Sequence, residues 1–252
     1  MPSSLGMGRK MRRLLFLGVV LLCSGIFVCS RAQVGTVGGP SWGLEAGGSG
    51  WVLKAFTVKA GAGGTSTTTS AINTTGSDLI AVCTTAQENT ITFSDSASNT
   101  WNKIENSNGD TPIGTLYWVH APTTSASHTF TASSASFAAI AVLAFSGSAA
   151  SPLDQSANAA HTSTGTSLAL GSITPGVNNE MIVSCLSIGT AAGSTSINSG
   201  TLKNFSDFSS GNSYGVGQAY FNQATAAAFN STFTWTTTAS GTFDGVVASF
   251  KP

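Results

Sequence analysis

"DLIAVCTT" (residues 78–85) and "EMIVSCLS" (residues 180–187) carry the same order of acid, apolar run and cysteine, at an offset of 102. The offset persists outward from these lines. Ile72 pairs with Ile173 at 101, "YW" (117, 118) with "YF" (220, 221) at 103, and Phe130 with Phe233 at 103. Phe145, ending "AVLAF", pairs with Phe250, ending "VVASF", at 105. A slow drift of this kind is what a duplicated unit with small loop insertions produces. The reading is two sequence-related halves, residues 51–147 and 162–252, joined by a linker at 148–161 that contains Pro152.

Within each half, apolar and polar residues alternate over short runs such as "TITFSD", "TLYWVH" and "TFTWTTT", separated by Gly, Asn, Asp and Ser clusters. "QATAAAF" (223–229) comes nearest to a helical pattern, and its partner "TTSASHTF" reads as loop. The expected fold is all-β, an antiparallel β-sandwich of jelly-roll or Ig-like form. Two tandem sandwiches and one double-sized sandwich both fit the pattern.

The first thirty-two residues have the three parts of a secretory signal peptide. Arg9, Lys10, Arg12 and Arg13 precede the apolar stretch 14–28, and Ser30 and Ala32 place small side chains before a cut ahead of Gln33. An uncleaved anchor is the competing reading. Residues 33–50 form a Gly-rich lead-in. Cleavage removes five of the ten basic residues and none of the ten acidic ones, leaving 220 residues with a formal charge of −5 and no arginine. Such a surface lacks the positive charge that nucleic acid or an anionic membrane requires. The expected location is therefore extracellular or at the cell surface, with no membrane partner after cleavage.

The lines "TTGSDLIAV", "ITFSDSASNTWNKI", "LYWVHAP" and "AVLAFSGSAASPLD" resemble those of a large, mostly uncharacterised group of secreted bacterial and phage-associated β-sandwich proteins. Asp95, Asn99, Thr100, Trp101, Gly147, Pro152, Leu153 and Asp154 match the recurring pattern, whereas Ser98 stands where glycine is common. The resemblance implies an extracellular β-sandwich and supplies no catalytic residues.

Cys83 and Cys185 are the two cysteines left in the mature chain, at equivalent positions. Either they bond across a pseudo-twofold contact or each packs as a small hydrophobe in its own core. Asp95 and Asn99, with Asn106, Asn108 and Asp110, make oxygen-rich loops suited either to a structural calcium ion or to ordinary turns. No other cofactor is expected. "GNSYG" (211–215) matches the spacing of a nucleophile elbow at Ser213, but "VGQAYFNQ" follows it with strand alternation where a helix is needed. His120, His128 and His161 read as solvated loop or strand-end residues. Asp95, Glu105, Asp110, Asp154, Asp207 and Asp244 form no recognisable catalytic pair. Trp101 shares a strand face with Lys103 and points outward on this reading, and with Tyr117 and Tyr214 it is a candidate for ligand stacking. Phe233 and Trp235 share a face that belongs to the core. The functional expectation is a non-catalytic module binding a polysaccharide or cell-surface component. The alternative is a self-assembling structural protein of the cell surface, a biofilm or a phage-like particle.

Overall fold

The computed structural model describes residues 50–87, 91–105, 111–133, 135–161, 165–239 and 241–252. The segment read as a signal peptide, the lead-in up to residue 49, and Asn106, Asn108 and Asp110 lie outside the described residues. Among the described residues, sixteen strands follow one another in chain order. They are β1 Val52–Ala60, β2 Ser66–Thr68, β3 Leu79–Ala86, β4 Thr92–Asp95, β5 Asn102–Glu105, β6 Ile113–His120, β7 Phe130–Ser133 and β8 Ala139–Ser146. Then come β9 Leu153–His161, β10 Gly165–Ile173, β11 Glu180–Ile188, β12 Thr195–Ile197, β13 Thr201–Ser206, β14 Gly215–Gln223, β15 Phe229–Ala239 and β16 Phe243–Phe250. The segment "QATAAAF" is a bend leading into β15, and among the described residues there is no helix.

The first eight strands form a five-stranded sheet, β1-β8-β3-β6-β5, and a three-stranded one, β2-β7-β4. The second eight form β9-β16-β11-β14-β13 and β10-β15-β12. Adding eight to each label of the first set gives the second, and every pairing is antiparallel. The chain crosses between sheets at nearly every connection, which is jelly-roll rather than Ig-like connectivity. Both sets lie in one compact unit, Glu45–Pro252, so they are not tandem bodies.

Side-chain direction along β3 and β11 explains how the sets are joined. Leu79, Ala81 and Cys83 face Met181, Val183 and Cys185 in one core between the two five-stranded sheets. Ile80 and Val82 point the other way, into a core with Phe130 and Ala132 of β7. Ile182 and Leu186 point likewise toward Leu168, Leu170, Phe233 and Trp235. The described strands thus form four layers, of three, five, five and three strands. With both faces of the middle sheets covered, every residue of β3 and β11 is buried. Antiparallel strands ordinarily alternate between buried and wet, and these two read as near-continuous apolar runs because neither face is wet.

A disulfide joins Cys83 to Cys185, with Cα atoms 5.7 Å apart. One pleat along, the Thr85 and Ser187 hydroxyls bond at 2.9 Å. Both links connect residues 102 positions apart at matching places. The near-twofold axis relating the sheets therefore runs along β3 and β11. The layers approach closely here: a Cβ on Gly114 would lie 2.5 Å from Ser187 Oγ.

Two segments depart from the sequence reading. Residues 153–161, which the sequence pattern places in the linker, form β9, which pairs with β16 as the counterpart of β1. Leu153 packs on the central core, but the positions facing the outer core are the small Ala157 and Ala159, which give little apolar signal. The "YW" and "YF" pairs also sit one residue out of register. Trp118 lies opposite Ala81 and Tyr220 opposite Val183, so Tyr220 occupies the place of Trp118, not of Tyr117. A one-residue slip reverses the face of a strand residue, and Tyr117 faces the outer core while Tyr220 faces the central one.

Candidate functional site

The loop between β4 and β5 is closed by Asp95. One carboxylate oxygen accepts the backbone N–H of Ala97 at 2.7 Å and of Asn99 at 3.3 Å, and the other accepts the Trp101 indole N–H at 2.8 Å. Ser98, at the tip, takes φ +58°, a left-handed conformation that glycine adopts with less strain. The Trp101 indole does not project into solvent. It is half-buried, edge-on to Phe93 at 4.9 Å and to Phe130 at 6.1 Å. Tyr117 is buried beneath the same cluster and stacks on Phe93 at 4.5 Å. Two of the three candidate stacking aromatics thus come together as the edge of a core, because alternation along β5 and the residue before it aims Ile104 at the central layer and Trp101 at the outer one.

His128 is fully buried, contrary to the solvated reading. It shares the inward face of its segment with Phe130, on which its ring stacks at 4.4 Å. Its Nδ1 lies 2.9 Å from Thr74 Oγ1 and its Nε2 3.4 Å from Asp95 Oδ1. Thr74, His128 and Asp95 follow the order of a nucleophile, base and carboxylate, but the group is sealed. Thr74 and the two partner side chains have no exposed surface, and the Thr74 hydroxyl already accepts the Ser125 N–H at 3.1 Å. Burial alone would raise the Asp95 pKa. The amides of Asn99 and Ala97, the Asn99 side chain and His128 outweigh it and hold the carboxyl below its ordinary value of 3.8.

These donors also bear on calcium. Both Asp95 oxygens face N–H groups, and Asn99 Oδ1 accepts the Thr123 N–H at 2.7 Å. Asp95 and Asn99 therefore build a turn, while the other three residues considered for calcium fall outside the described residues. Among the described residues no group of three or more His, Cys, Asp or Glu side chains is placed to hold a metal. Other carboxylates also hold backbone: Asp78 accepts the N–H of Gly147 and Ser148, Asp154 that of Gly176, Asp207 those of Ala192, Gly193 and Phe208, and Asp244 that of Gly114.

Tyr214 lies elsewhere, in a pocket of about 140 Å³ lined by Phe137, Phe208, Ser209, Gly211, Ser213 and Tyr214. Phe137 belongs to the connection between β7 and β8, and the other five to the connection between β13 and β14. The Tyr214 N–H donates to Phe137 O at 2.8 Å, and the Gly63 N–H to Asn212 O at 2.7 Å, so backbone bonds tie the two sets of strands together around the pocket. Tyr214 is 6.3 Å from Phe137 and 6.1 Å from Phe208, ring to ring. Phe137 is held at φ +58°, unusual for a bulky residue. Ser213 is 2% exposed, and its hydroxyl has no hydrogen-bond partner among the described residues. Gly215 begins a strand, so "GNSYG" is a strap and not a nucleophile elbow. Sequence reading found Tyr214 but not Phe137 or Phe208. The available signal was a lone aromatic in each of two loops of small residues, "SSASFAA" and "SDFSSGN".

Comparison with family models, with curated proteins and with solved structures finds no match for this chain.

Proposed function

We propose that this chain is a secreted, non-catalytic binding module for a polysaccharide or other cell-surface component, with Tyr214 in the binding site. The pocket at the meeting of the two strand sets carries this reading. Three aromatic side chains, Phe137, Phe208 and Tyr214, line a concavity, and pockets of mostly apolar lining are the usual form of ligand sites. Trp101 and Tyr117 fit the reading less well, since each is committed to packing. The test is titration of the purified protein against a panel of soluble and insoluble polysaccharides beside Tyr214→Ala. Saturable binding that this substitution weakens, at an unchanged melting temperature, supports the module; no saturable binding across the panel rejects it.

A second reading is self-assembly at a cell surface or in a particle. The outward positions of β2, β7 and β4 are Ser66, Thr68, Thr131, Ser133, Thr92 and Ser94, an uncharged hydroxyl face bounded by short edge strands. Sedimentation that depends on protein concentration, with indifference to sugars, would favour it.

A further inference from the structure

We infer that the ligand is an acidic polysaccharide, a chain of uronic acids, lying along the margin where β1 and β13 meet and running on into the pocket at Tyr214. The inference rests on the binding-module reading and names its ligand class.

The margin is built from two free strand edges. β1 ends one middle sheet and β13 ends the other, each paired on one side only. Lys203 of β13 holds its ammonium 4.1 Å from the centre of the Phe56 ring of β1, so the two edges come together on this side of the molecule. Phe56 is still 47% exposed. Lys54 and Lys59 are exposed on the same strand, and neither forms an ion pair with a described residue. They lie roughly 17 Å apart at a rise of about 3.3 Å per residue, with Phe56 and Lys203 between them.

The mature chain is acidic in sum, but its described acids face inward. Asp78, Asp95, Asp154, Glu180, Asp207 and Asp244 each accept a backbone N–H, and none is exposed. On β9, the far edge of the second middle sheet, a lysine meets an acid instead: Lys251 faces Asp154 at 3.9 Å. The β1 and β13 margin therefore presents lysines that such pairing does not neutralise.

A uronic ring offers a C–H face and a carboxylate. Phe56 and Lys203 supply the matching aromatic ring and cation side by side, and Lys54 and Lys59 can meet carboxylates further along the chain. Lysine is a point charge on a flexible stem, so it tolerates irregular spacing between successive acids. The free edge of β1 adds backbone N–H and C=O groups for sugar hydroxyls. Past Lys59, the Gly61 N–H donates to Ala138 O at 2.8 Å and the Gly63 N–H to Asn212 O at 2.7 Å. These bonds carry the chain beside Phe137 and the strap that holds Tyr214, so margin and pocket form one track. Lysines on a free edge also hinder edge-to-edge pairing, and the experiment separates the two roles.

Purified protein is titrated calorimetrically with galacturonic acid oligomers, with the same oligomers fully methyl-esterified, and with dextran sulfate. Each titration is run at about 0.01 M and about 1 M salt, where charges are screened over about 30 Å and 3 Å. The acid oligomers should bind saturably at low salt and far more weakly at high salt, and the neutral ester at least about tenfold more weakly than the acid at low salt. Lys59→Gln and Lys203→Gln should each weaken low-salt binding about fivefold. Phe56→Leu, which removes the ring and keeps bulk, should weaken it as well, all three at an unchanged melting temperature. Equal binding of acid and ester would overturn the acidic ligand and leave the module standing. So would neutral glycans from the wider panel whose binding Tyr214→Ala abolishes and the lysine changes leave intact. Dextran sulfate binding as tightly as the acid, with indifference to Phe56→Leu, would reveal general ion exchange and overturn the inference. Lysine variants that self-associate while binding the acid unchanged would show edge protection alone and overturn it too. Acid binding that the lysine changes weaken and Tyr214→Ala does not would keep the margin and overturn the pocket as the site. No binding here or in the wider panel would reject both readings.

Discussion

Ser98 holds φ +58° at the tip of a loop whose ends are fastened by Asp95. A non-glycine residue in that region costs roughly 1–2 kcal/mol, part of which glycine returns to the flexible unfolded chain. Ser98→Gly should therefore stabilise the protein by about 0.5–1 kcal/mol, visible as a melting temperature a few degrees higher; a lower one would mean that the serine makes a compensating contact. Asp95 itself predicts an acid response. Its folded pKa lies below the ordinary value, so the stability it contributes is complete above the unfolded pKa and lost as pH falls through the folded one. Melting temperature should drop on acidification below about pH 4. Asp95→Asn should melt lower at neutral pH and show a shallower fall across that acid range. The burial of His128 is legible in the alternation "HTFTA", which puts it on the face of Phe130 and Ala132. Histidine is more often exposed than buried, and here the strand period outweighs that preference.

At the scale of strands, the two middle sheets meet through unlike chemistry on their two sides. Where the first set has Ile104 opposite Leu116, the second has Asn204 opposite Gln218. The Asn204 amide donates to Gln218 Oε1 at 2.9 Å and to Val142 O at 2.9 Å, and the Gln218 amide donates to Ala81 O at 3.1 Å. Gln218→Leu alone should cost about 1–3 kcal/mol, because it strands part of a buried amide. Adding Asn204→Ile should recover some of that loss, and a double-mutant cycle in denaturant would measure the coupling. Strictly additive effects would mean that the two amides do not act as a pair. The strand content was legible because β-branched and aromatic residues alternate between turn clusters, and "AVLAF" and "VVASF" even bring Phe145 and Phe250 to matching places beside Leu79 and Met181. The edge strand β9 escaped because Ser, Asn and Ala on a thin sheet margin resemble a linker. The pocket escaped because its walls come from loops of different strand sets, whose meeting depends on the packing of the middle layers.

For the molecule as a whole, the disulfide closes a loop over a separation of 102 residues. Loop-closure entropy then predicts roughly 4–5 kcal/mol of stabilisation. The double substitution Cys83→Ala, Cys185→Ala should lower stability by an amount of that order, measured by denaturant unfolding under non-reducing conditions. A loss under about 1 kcal/mol would show that the central core holds the two sets together without the bond. The four-layer arrangement was only half visible beforehand: the matching cysteine lines allowed either a bridge or two separate thiols, and the choice depends on how two sheets face each other. That facing has a further consequence. Two separate jelly rolls meeting along such an axis would be a dimer, and a dimer dissociates when diluted. Written in one chain and bolted at the axis, the same contact behaves as a unimolecular one, so the pocket built across it should stay assembled at any dilution.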